Sequence, residues 1–177
     1  MNITNEQAEY LLGIPKKVVV NDSLLNHYSI DQMFPLKLRL ELVSPVDDDY
    51  TFLWEINQSD KNRIRISFHH QENDSKTGLI RIDYNSGHTN PEAISEFVPA
   101  KFHPYAGKHF DSHEHHIHYH VQGYKTLSWA IPLKDDGFEI KELDDNPDLQ
   151  LNIARIIRYF ARIVNIQTEI TVNSLLL

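Results

Sequence analysis

The chain has 177 residues, 41% of them hydrophobic, which is the size and composition of one ordinary globular domain over residues 1–177. It contains no cysteine, which excludes disulfides, thiolate nucleophiles and metal sites built on sulfur. The formal net charge of −8 disfavours direct binding to nucleic acid and favours a partner with a basic surface.

The start of the chain lacks the basic segment and apolar run of a secretory signal. No stretch approaches the ~18 consecutive apolar residues of a membrane span. These two features predict a soluble, cytoplasmic protein without a membrane partner.

The N-terminal segment predicts a short helix followed by a strand. Thr4 and Gln7 have the spacing of a capping box, and Gly13 supplies a stop, so we expect a helix at about residues 5–12. Residues 16–20 predict a short strand. Residues 22–33 leave a helical turn and an irregular connection both open.

From residue 36 the hydrophobic pattern changes to a period of two, which is typical of half-buried strands. Four such strands are predicted, at about residues 36–43, 50–56, 63–68 and 80–84. Short polar turns join them, and successive strands with short turns favour an antiparallel meander.

The second half of the chain combines a long excursion, further strands and a helix. Residues 86–112 form the excursion, and its length favours a functional or partly ordered loop. Strands are expected at residues 125–131 and 138–143. Between residues 147 and 164 apolar residues recur at helical spacing. The predicted fold class is therefore α+β, an antiparallel meander sheet with a short N-terminal helix and a long C-terminal helix packed on it.

Five of the eleven histidines lie between residues 113 and 120. Because side chains alternate between the faces of a strand, a strand here directs polar side chains to one face. These are Glu114, His116, His118 and His120. The other face receives Ile117, Tyr119 and Val121. One face can therefore be buried while the other presents a row of imidazoles, which are good ligands for zinc.

The first interpretation of this strand is a zinc site with His116, His118 and His120 as ligands. His88 is the expected partner from elsewhere, because it lies at the start of the excursion. The reserve ligands are His103, His109, Asp111 and Glu114. A closed fourth position would make the ion structural, whereas an open one would permit hydrolysis, and we expect the structural role. For any single histidine, a solvated or hydrogen-bonded side chain is the simpler interpretation.

The segment from His116 to Gln122 resembles the histidine-triad motif of nucleotide hydrolases, in which three histidines alternate with apolar residues. The resemblance covers residues 116–132, and it implies that His118 is the nucleophile that attacks a nucleoside phosphate. Beyond the motif the chain departs from that family, because a strand and a long helix follow. The alternative function is thus a histidine-triad-like nucleotide hydrolase or ribonuclease with His118 as the catalytic residue.

A broader resemblance covers about residues 79–165. The segments that carry it are His88-Thr89-Asn90, Phe110-Asp111, His116-x-His118 and Tyr124. They resemble a small uncharacterised family of bacteria and prophages that has a His-Thr-Asn motif, a His-x-His strand and a closing helix. The resemblance implies that His88 pairs with His116 and His118, and it implies no activity.

Three arginines on polar strand faces, Arg63, Arg65 and Arg81, are placed to approach the histidines. Arginine beside histidine suits phosphate binding or an acid–base ribonuclease. Carboxylates on neighbouring strands can instead pair these arginines, namely Glu41, Glu55 and Asp83. We prefer the ion pairs.

The segment from Lys134 to Asp148 holds seven acids against two lysines. A solvated turn is the simpler interpretation, and a docking surface for a basic protein is the alternative. Its candidate residues are Asp135, Asp136, Glu139 and Asp144. In size and acidity the chain is similar to phage-borne inhibitors of CRISPR nucleases, which implies a nucleic-acid-guided nuclease as the partner. Since no complete catalytic pattern is present, we expect a zinc-stabilised binding protein rather than an enzyme.

Overall fold

The computed structural model describes residues 3–174, which contain three α-helices and one 3-10 helix. They are α1 (Asn5–Gly13), α2 (Leu133–Asp136) and α3 (Leu149–Ile163), with a 3-10 helix at Ala100–Tyr105. The expected capping box starts α1: Thr4 Oγ1 accepts from the Gln7 backbone N–H, and the Gln7 side chain accepts from the Thr4 N–H. No helix in this part of the chain is long and apolar enough to cross a membrane.

Most of the strands belong to one large antiparallel sheet. The strands are β1 (Lys17–Val20), β2 (Ser23–Leu24), β3 (His27–Gln32), β4 (Lys37–Val43), β5 (Thr51–Gln58), β6 (Ile66–Glu72), β7 (Thr77–Tyr84), β8 (His88–Thr89), β9 (His109–Phe110), β10 (His116–Tyr119), β11 (Trp129–Pro132) and β12 (Glu169–Ser174). The large sheet has the order β11-β10-β7-β6-β5-β4-β1-β2. Since β4 to β7 are consecutive neighbours, the predicted meander is confirmed.

The long helix α3 packs on one face of this sheet, here called the inner face. The ring of Phe160 lies 6.2 Å from that of Trp54 and 5.9 Å from that of Phe68. The buried residues of α3 are Leu149, Ile153, Ala154, Ile156, Ile157, Phe160 and Ala161. Each large apolar side chain buried in this way contributes about 1.5–3 kcal/mol relative to an exposed one. The α+β class is therefore confirmed, with the core between α3 and the inner face.

The opposite face, here called the outer face, carries two rows of polar residues that cross the strands. In strand register the first row is Arg39, Glu55, His69, Arg81 and His118. The second row is Lys37, Asn57, Ser67, Asp83 and His116. Because β10 pairs with β7, the alternation of the histidine strand extends both rows to His116 and His118.

Two segments differ from the sequence-based expectation. Residues 22–33 contain β2 and β3, and β3 pairs in parallel with β12, whose partner residues lie more than a hundred positions away. The segment 138–143 is irregular rather than a strand. Its carbonyls accept from side chains instead of a neighbouring strand: Tyr84 Oη donates to Ile140 O at 2.6 Å, and Asn85 Nδ2 donates to Leu143 O at 3.2 Å.

Candidate metal centre

The pairing of β7 with β10 brings one carboxylate beside two histidines. Asp83 lies opposite His116, and Arg81 lies opposite His118. Asp83 Oδ2 is 3.0 Å from His118 Nε2 and 3.8 Å from His116 Nε2. The ligand atoms of the three side chains all lie within 4.8 Å of one another, a grouping able to hold a metal ion. We call Asp83, His116 and His118 the Asp–His–His group.

The protonation of His116 follows from its hydrogen bond. Its Nδ1 lies 2.8 Å from the carbonyl oxygen of Glu114, which can only accept, so Nδ1 carries the proton. The other nitrogen, Nε2, therefore presents a lone pair. Within residues 3–174 this buried atom has no hydrogen-bond partner. A backbone carbonyl that holds one imidazole nitrogen while the other faces the site is the usual support for a metal-binding histidine.

His118 Nε2 faces two groups with opposite demands. Asp83 Oδ2, at 3.0 Å, is an acceptor, whereas Arg81 Nη2, also at 3.0 Å, is a donor. A neutral imidazole nitrogen either donates or accepts, so it satisfies only one of them at a time. Arg81 also donates from Nε to Asp83 Oδ2 at 2.9 Å. A cation bound at His118 Nε2 would replace the Arg81 contact, because that nitrogen has a single lone pair.

The long excursion covers the Asp–His–His group. Its two ends pair as β8 and β9, and the Phe110 ring lies 4.7 Å from that of His116. The buried amide of Asn90 fastens this cover to β11: its Oδ1 accepts from the Ala130 N–H at 2.9 Å, and its Nδ2 donates to the Ala130 carbonyl at 2.8 Å. As a result, His116 and His118 are both 0% exposed.

The electrostatics of the group keep both imidazoles neutral. Burial lowers the pKa of His116, and it lowers the pKa of His118 to about 4 although Asp83 opposes the shift. For Asp83, burial acts to raise the pKa, but the hydrogen bond from His118 and the charge of Arg81 outweigh it and lower the pKa. At neutral pH the group is thus one carboxylate and two neutral imidazoles, the state that binds a divalent metal.

His88 lies beside the group without belonging to it. Its ring centre is 4.5 Å from that of His118. Its Nε2 lies 3.0 Å from the Ser128 carbonyl and 3.1 Å from Asn90 Oδ1, and we assign the proton to Nε2 because the carbonyl is an acceptor. The sequence-based pairing of His88 with His116 and His118 is therefore seen as proximity, with Nδ1 as the nitrogen left to act as a ligand.

The structure does not bring His120 to the same place. The strand β10 ends at Tyr119, and His120 Nε2 lies 2.8 Å from the Ile3 carbonyl near α1. Two reserve ligands are also engaged elsewhere: His103 with the Val98 carbonyl at 3.0 Å, and His109 with Thr89 Oγ1 at 2.8 Å.

Asp83 is the candidate ligand that sequence reasoning missed, since it was assigned only to an ion pair with arginine. That ion pair is present, because Arg81 Nε lies 2.9 Å from Asp83 Oδ2. In the sequence, Asp83 could have been recognised as a candidate ligand by its position on the polar side of a strand that precedes the histidine strand. Only the strand register shows that the same carboxylate also faces two histidines.

The four acids of the expected docking surface differ in their surroundings. Asp135 and Asp136 accept hydrogen bonds from the hydroxyls of Tyr105 and Tyr119, each at 2.8 Å. Glu139 pairs with Arg155 and Arg162 of α3, and the exposed Asp144 makes no side-chain hydrogen bond or ion pair within residues 3–174. Of these four acids, Glu139 alone is paired with cations in the described residues, and those ion pairs lie at the surface.

The burial of His118 also bears on the histidine-triad alternative. A nucleophile must approach the phosphorus atom of its substrate, and here His118 is fully buried beneath the covering strands. Nucleotide hydrolysis by His118 would therefore require β8 and β9 to move away.

Comparison with known proteins supplies a family and no activity. Neither the curated proteins nor the solved structures contain a significant match to the chain. A family model described as a family of unknown function (DUF6978) matches residues 3–163. The expectation of an uncharacterised family is confirmed at that level. The chain belongs to this family of unknown function.

Proposed function

We propose that this protein is a zinc-stabilised, non-enzymatic binding protein in which the Asp–His–His group holds a structural zinc ion. The observation that carries the proposal is the lone pair of His116 Nε2, which is buried without a partner and lies 3.8 Å from a carboxylate oxygen. Two imidazoles and one carboxylate are a common ligand set for zinc. His88 is the proposed additional ligand through Nδ1.

A structural role suits this position better than a catalytic one. Catalytic zinc keeps an open coordination position for water or substrate, whereas structural zinc is enclosed by protein ligands. Here the two histidines are fully buried under the excursion, and Asp83 is only 6% exposed. With His88 as the additional ligand, zinc at this point would link the main sheet to the excursion that covers it.

The test is elemental analysis of the untagged protein together with melting curves before and after chelation. We expect about one zinc per chain. If free zinc is a thousand times the Kd, binding contributes about 4 kcal/mol to stability. For a chain of this size that corresponds to about 10 °C in Tm. A chain that contains no metal, and that melts at the same temperature with added zinc and with chelator, would overturn the proposal.

The matched variants are His118→Ala and His113→Ala. His113 is exposed and lies in the same histidine-rich segment, so its loss should change neither zinc content nor Tm. The His118 variant should lose zinc and the chelator effect. If it instead retained zinc and the wild-type protein hydrolysed nucleoside phosphoramidates or short RNA, the histidine-triad alternative would replace this proposal.

We also propose that the partner is a basic protein, namely a nucleic-acid-guided nuclease. In this proposal the chain is a phage or mobile-element protein that inhibits the nuclease. The support is the net charge of −8 and the exposed acids of the segment 134–148. Opposite charges accelerate and orient such an encounter.

The docking test measures DNA cleavage by a purified Cas9-type nuclease with increasing amounts of this protein. Asp144→Lys is the informative variant, because the Asp144 side chain is exposed and forms no hydrogen bond or ion pair with the described residues. Asp48→Lys makes the same charge change in the β4–β5 turn and is the control. We expect inhibition by the wild type and the control and weaker inhibition by the Asp144 variant. Cleavage that is unaffected by the wild type would refute this partner class.

A further inference from the structure

A polar groove runs along the outer face beside the candidate metal centre. It consists of two adjoining cavities of about 380 and 400 Å³ that share Asn57, Ser67 and Arg81 in their walls. Pockets for small ligands usually measure roughly 300–1,000 Å³. Each half of the groove is thus large enough for a small organic molecule.

The walls of this groove carry more positive than negative side chains. Four cations line it, Lys37, Arg39, Arg65 and Arg81. Two carboxylates accompany them, and both are already engaged. Glu55 contacts Arg39 at 3.0 Å and His69 at 3.3 Å, and Asp83 contacts Arg81 and His118. The groove therefore has a positive charge on a protein whose net charge is −8.

Arg65 is the uncommitted cation at one end. Its side chain is exposed and, within residues 3–174, forms no ion pair or side-chain hydrogen bond. The sequence pointed to three arginines in this region. Arg81 pairs with Asp83 at 2.9 Å within its own strand rather than across strands, and Arg63 pairs with Asp145 at 3.1 Å, a partner that the sequence did not suggest. These two ion pairs leave Arg65 as the one of the three without a carboxylate partner in the described residues.

Around Arg65 the groove offers mainly hydrogen-bond donors. Ser59, Ser67 and Ser86 line the same cavity as Arg65 and Arg81. Guanidinium groups and hydroxyls together are the usual partners of phosphate oxygens, and arginine binds phosphate with two parallel hydrogen bonds. The chemistry of the walls thus matches a phosphate group.

We propose that this groove binds a small phosphorylated molecule, with its phosphate group between Arg65 and Arg81. A small ligand fits better than a nucleic acid strand for two reasons. The overall negative charge repels a long polyanion. In addition, the tyrosine in the described walls of the groove, Tyr84, offers no open ring for base stacking, because it is buried and its hydroxyl donates to the Ile140 carbonyl. The proposal does not depend on zinc.

The test is isothermal titration of the full chain with inorganic phosphate, AMP and adenosine at constant ionic strength. Chelator is present throughout, so that a bound metal cannot supply the phosphate contact and failure of the zinc proposal does not affect the result. We expect saturable binding of phosphate and AMP and none of adenosine. Absence of saturable binding by both phosphate and AMP would overturn the proposal.

The key variant is Arg65→Ala, which removes an exposed side chain that has no partner among the described residues and should leave the fold intact by circular dichroism. We expect at least a tenfold loss of AMP affinity, and a smaller loss for Arg65→Lys, which keeps the charge but not the paired hydrogen bonds. The control is Arg158→Ala, an exposed arginine of α3 on the other side of the sheet. Equal AMP affinity in the Arg65 and Arg158 variants, or tight binding of single-stranded RNA without binding of AMP, would contradict the proposal.

Discussion

Two of the buried polar clusters in residues 3–174 differ in whether their hydrogen bonds are complete. In the first, Lys16 is 0% exposed, and its Nζ donates to the carbonyls of Leu12, Ile14 and Val164 at 3.1, 2.9 and 3.0 Å. All three N–H groups of the ammonium therefore have acceptors. In the second, the Asp–His–His group, His116 Nε2 and His118 Nδ1 are buried without partners in the described part of the chain.

This difference indicates a separate role for each cluster. The carbonyls bound by Lys16 lie at the C-terminal ends of α1 and α3, where helices leave carbonyls unsatisfied and favour a positive charge. Lys16 thus fastens the two helix ends together, and its hydrogen-bonding capacity is used up in the fold. In the Asp–His–His group the lone pair of His116 Nε2 is unused and lies 3.8 Å from a carboxylate oxygen, which is a reason to expect a ligand there.

The largest effect on stability is expected from Lys16→Met, which tests whether the hydrogen bonds of Lys16 stabilise the fold. Methionine retains much of the apolar bulk but leaves three buried carbonyls without a donor, and each such group carries a penalty of about 1–3 kcal/mol. We expect the free energy of unfolding, measured by urea denaturation, to fall by about 3 kcal/mol.

Lys17→Met is the matched control for this variant. Lys17 is half-buried, and its Nζ donates to Asn26 Oδ1 at 2.7 Å, its one hydrogen bond within the described residues. We expect a change of about 0.5 kcal/mol, typical of a surface position. Equal losses in the two variants would show that the three carbonyls do not depend on Lys16.

The pH dependence of stability is the second test of the Lys16 cluster. Burial lowers the pKa of Lys16 to about 7, against about 10.4 in the unfolded chain. Between these values the unfolded state binds more protons than the folded state, so stability rises with pH. From pH 7 to 9.5 we expect a gain on the order of 2 kcal/mol in the wild type that Lys16→Met lacks.

The measurement is a series of urea denaturations of the wild type and Lys16→Met across this range. The window stops below pH 10 because burial raises the pKa of Tyr84 and Tyr119, and these tyrosines lower stability at higher pH. Parallel pH profiles for the two proteins would refute a lowered pKa of Lys16 in the folded state.

The smallest change in stability is expected from a substitution in the Asp–His–His group when no metal is bound. In the presence of chelator, His116→Leu loses the Nδ1 hydrogen bond to Glu114 but no longer buries an unpartnered nitrogen. We expect the free energy of unfolding to change by no more than about 1 kcal/mol. With zinc present, the same variant should lack the metal-dependent gain in Tm. A loss of about 3 kcal/mol in chelator would mean that His116 is already satisfied by the fold, and the contrast with Lys16 would disappear.

The fold was predictable where local patterns are strong. The strands β4 to β7 follow the alternation of apolar residues, α1 follows its capping box, and α3 follows its helical spacing. The segment 138–143 misled because its first half alternates, with Phe138 and Ile140 buried and Glu139 exposed between them. That alternation reflects contact with the core alone, since its carbonyls bind Tyr84 and Asn85 instead of a strand.

The sequence predicted that His116 and His118 belong to the candidate site, but it did not predict the full set of residues that form it. Alternation in the strand correctly placed His116 and His118 on the same polar face. His120 follows the same alternation, yet the strand ends one residue before it, and its ring turns to the Ile3 carbonyl. A strand end depends on the neighbouring strand and on α1, which the local pattern does not describe.

By itself, the sequence determined the α+β class, the meander and the polar face that carries the two histidines, because periodicity depends only on neighbours along one strand or helix. Only the tertiary structure decided that Asp83 meets these histidines, that Phe110 and Asn90 close the excursion over them, and that β3 pairs with β12. The physical reason is that these contacts join residues far apart in the chain. Their register is set by the packing of whole elements rather than by any local pattern.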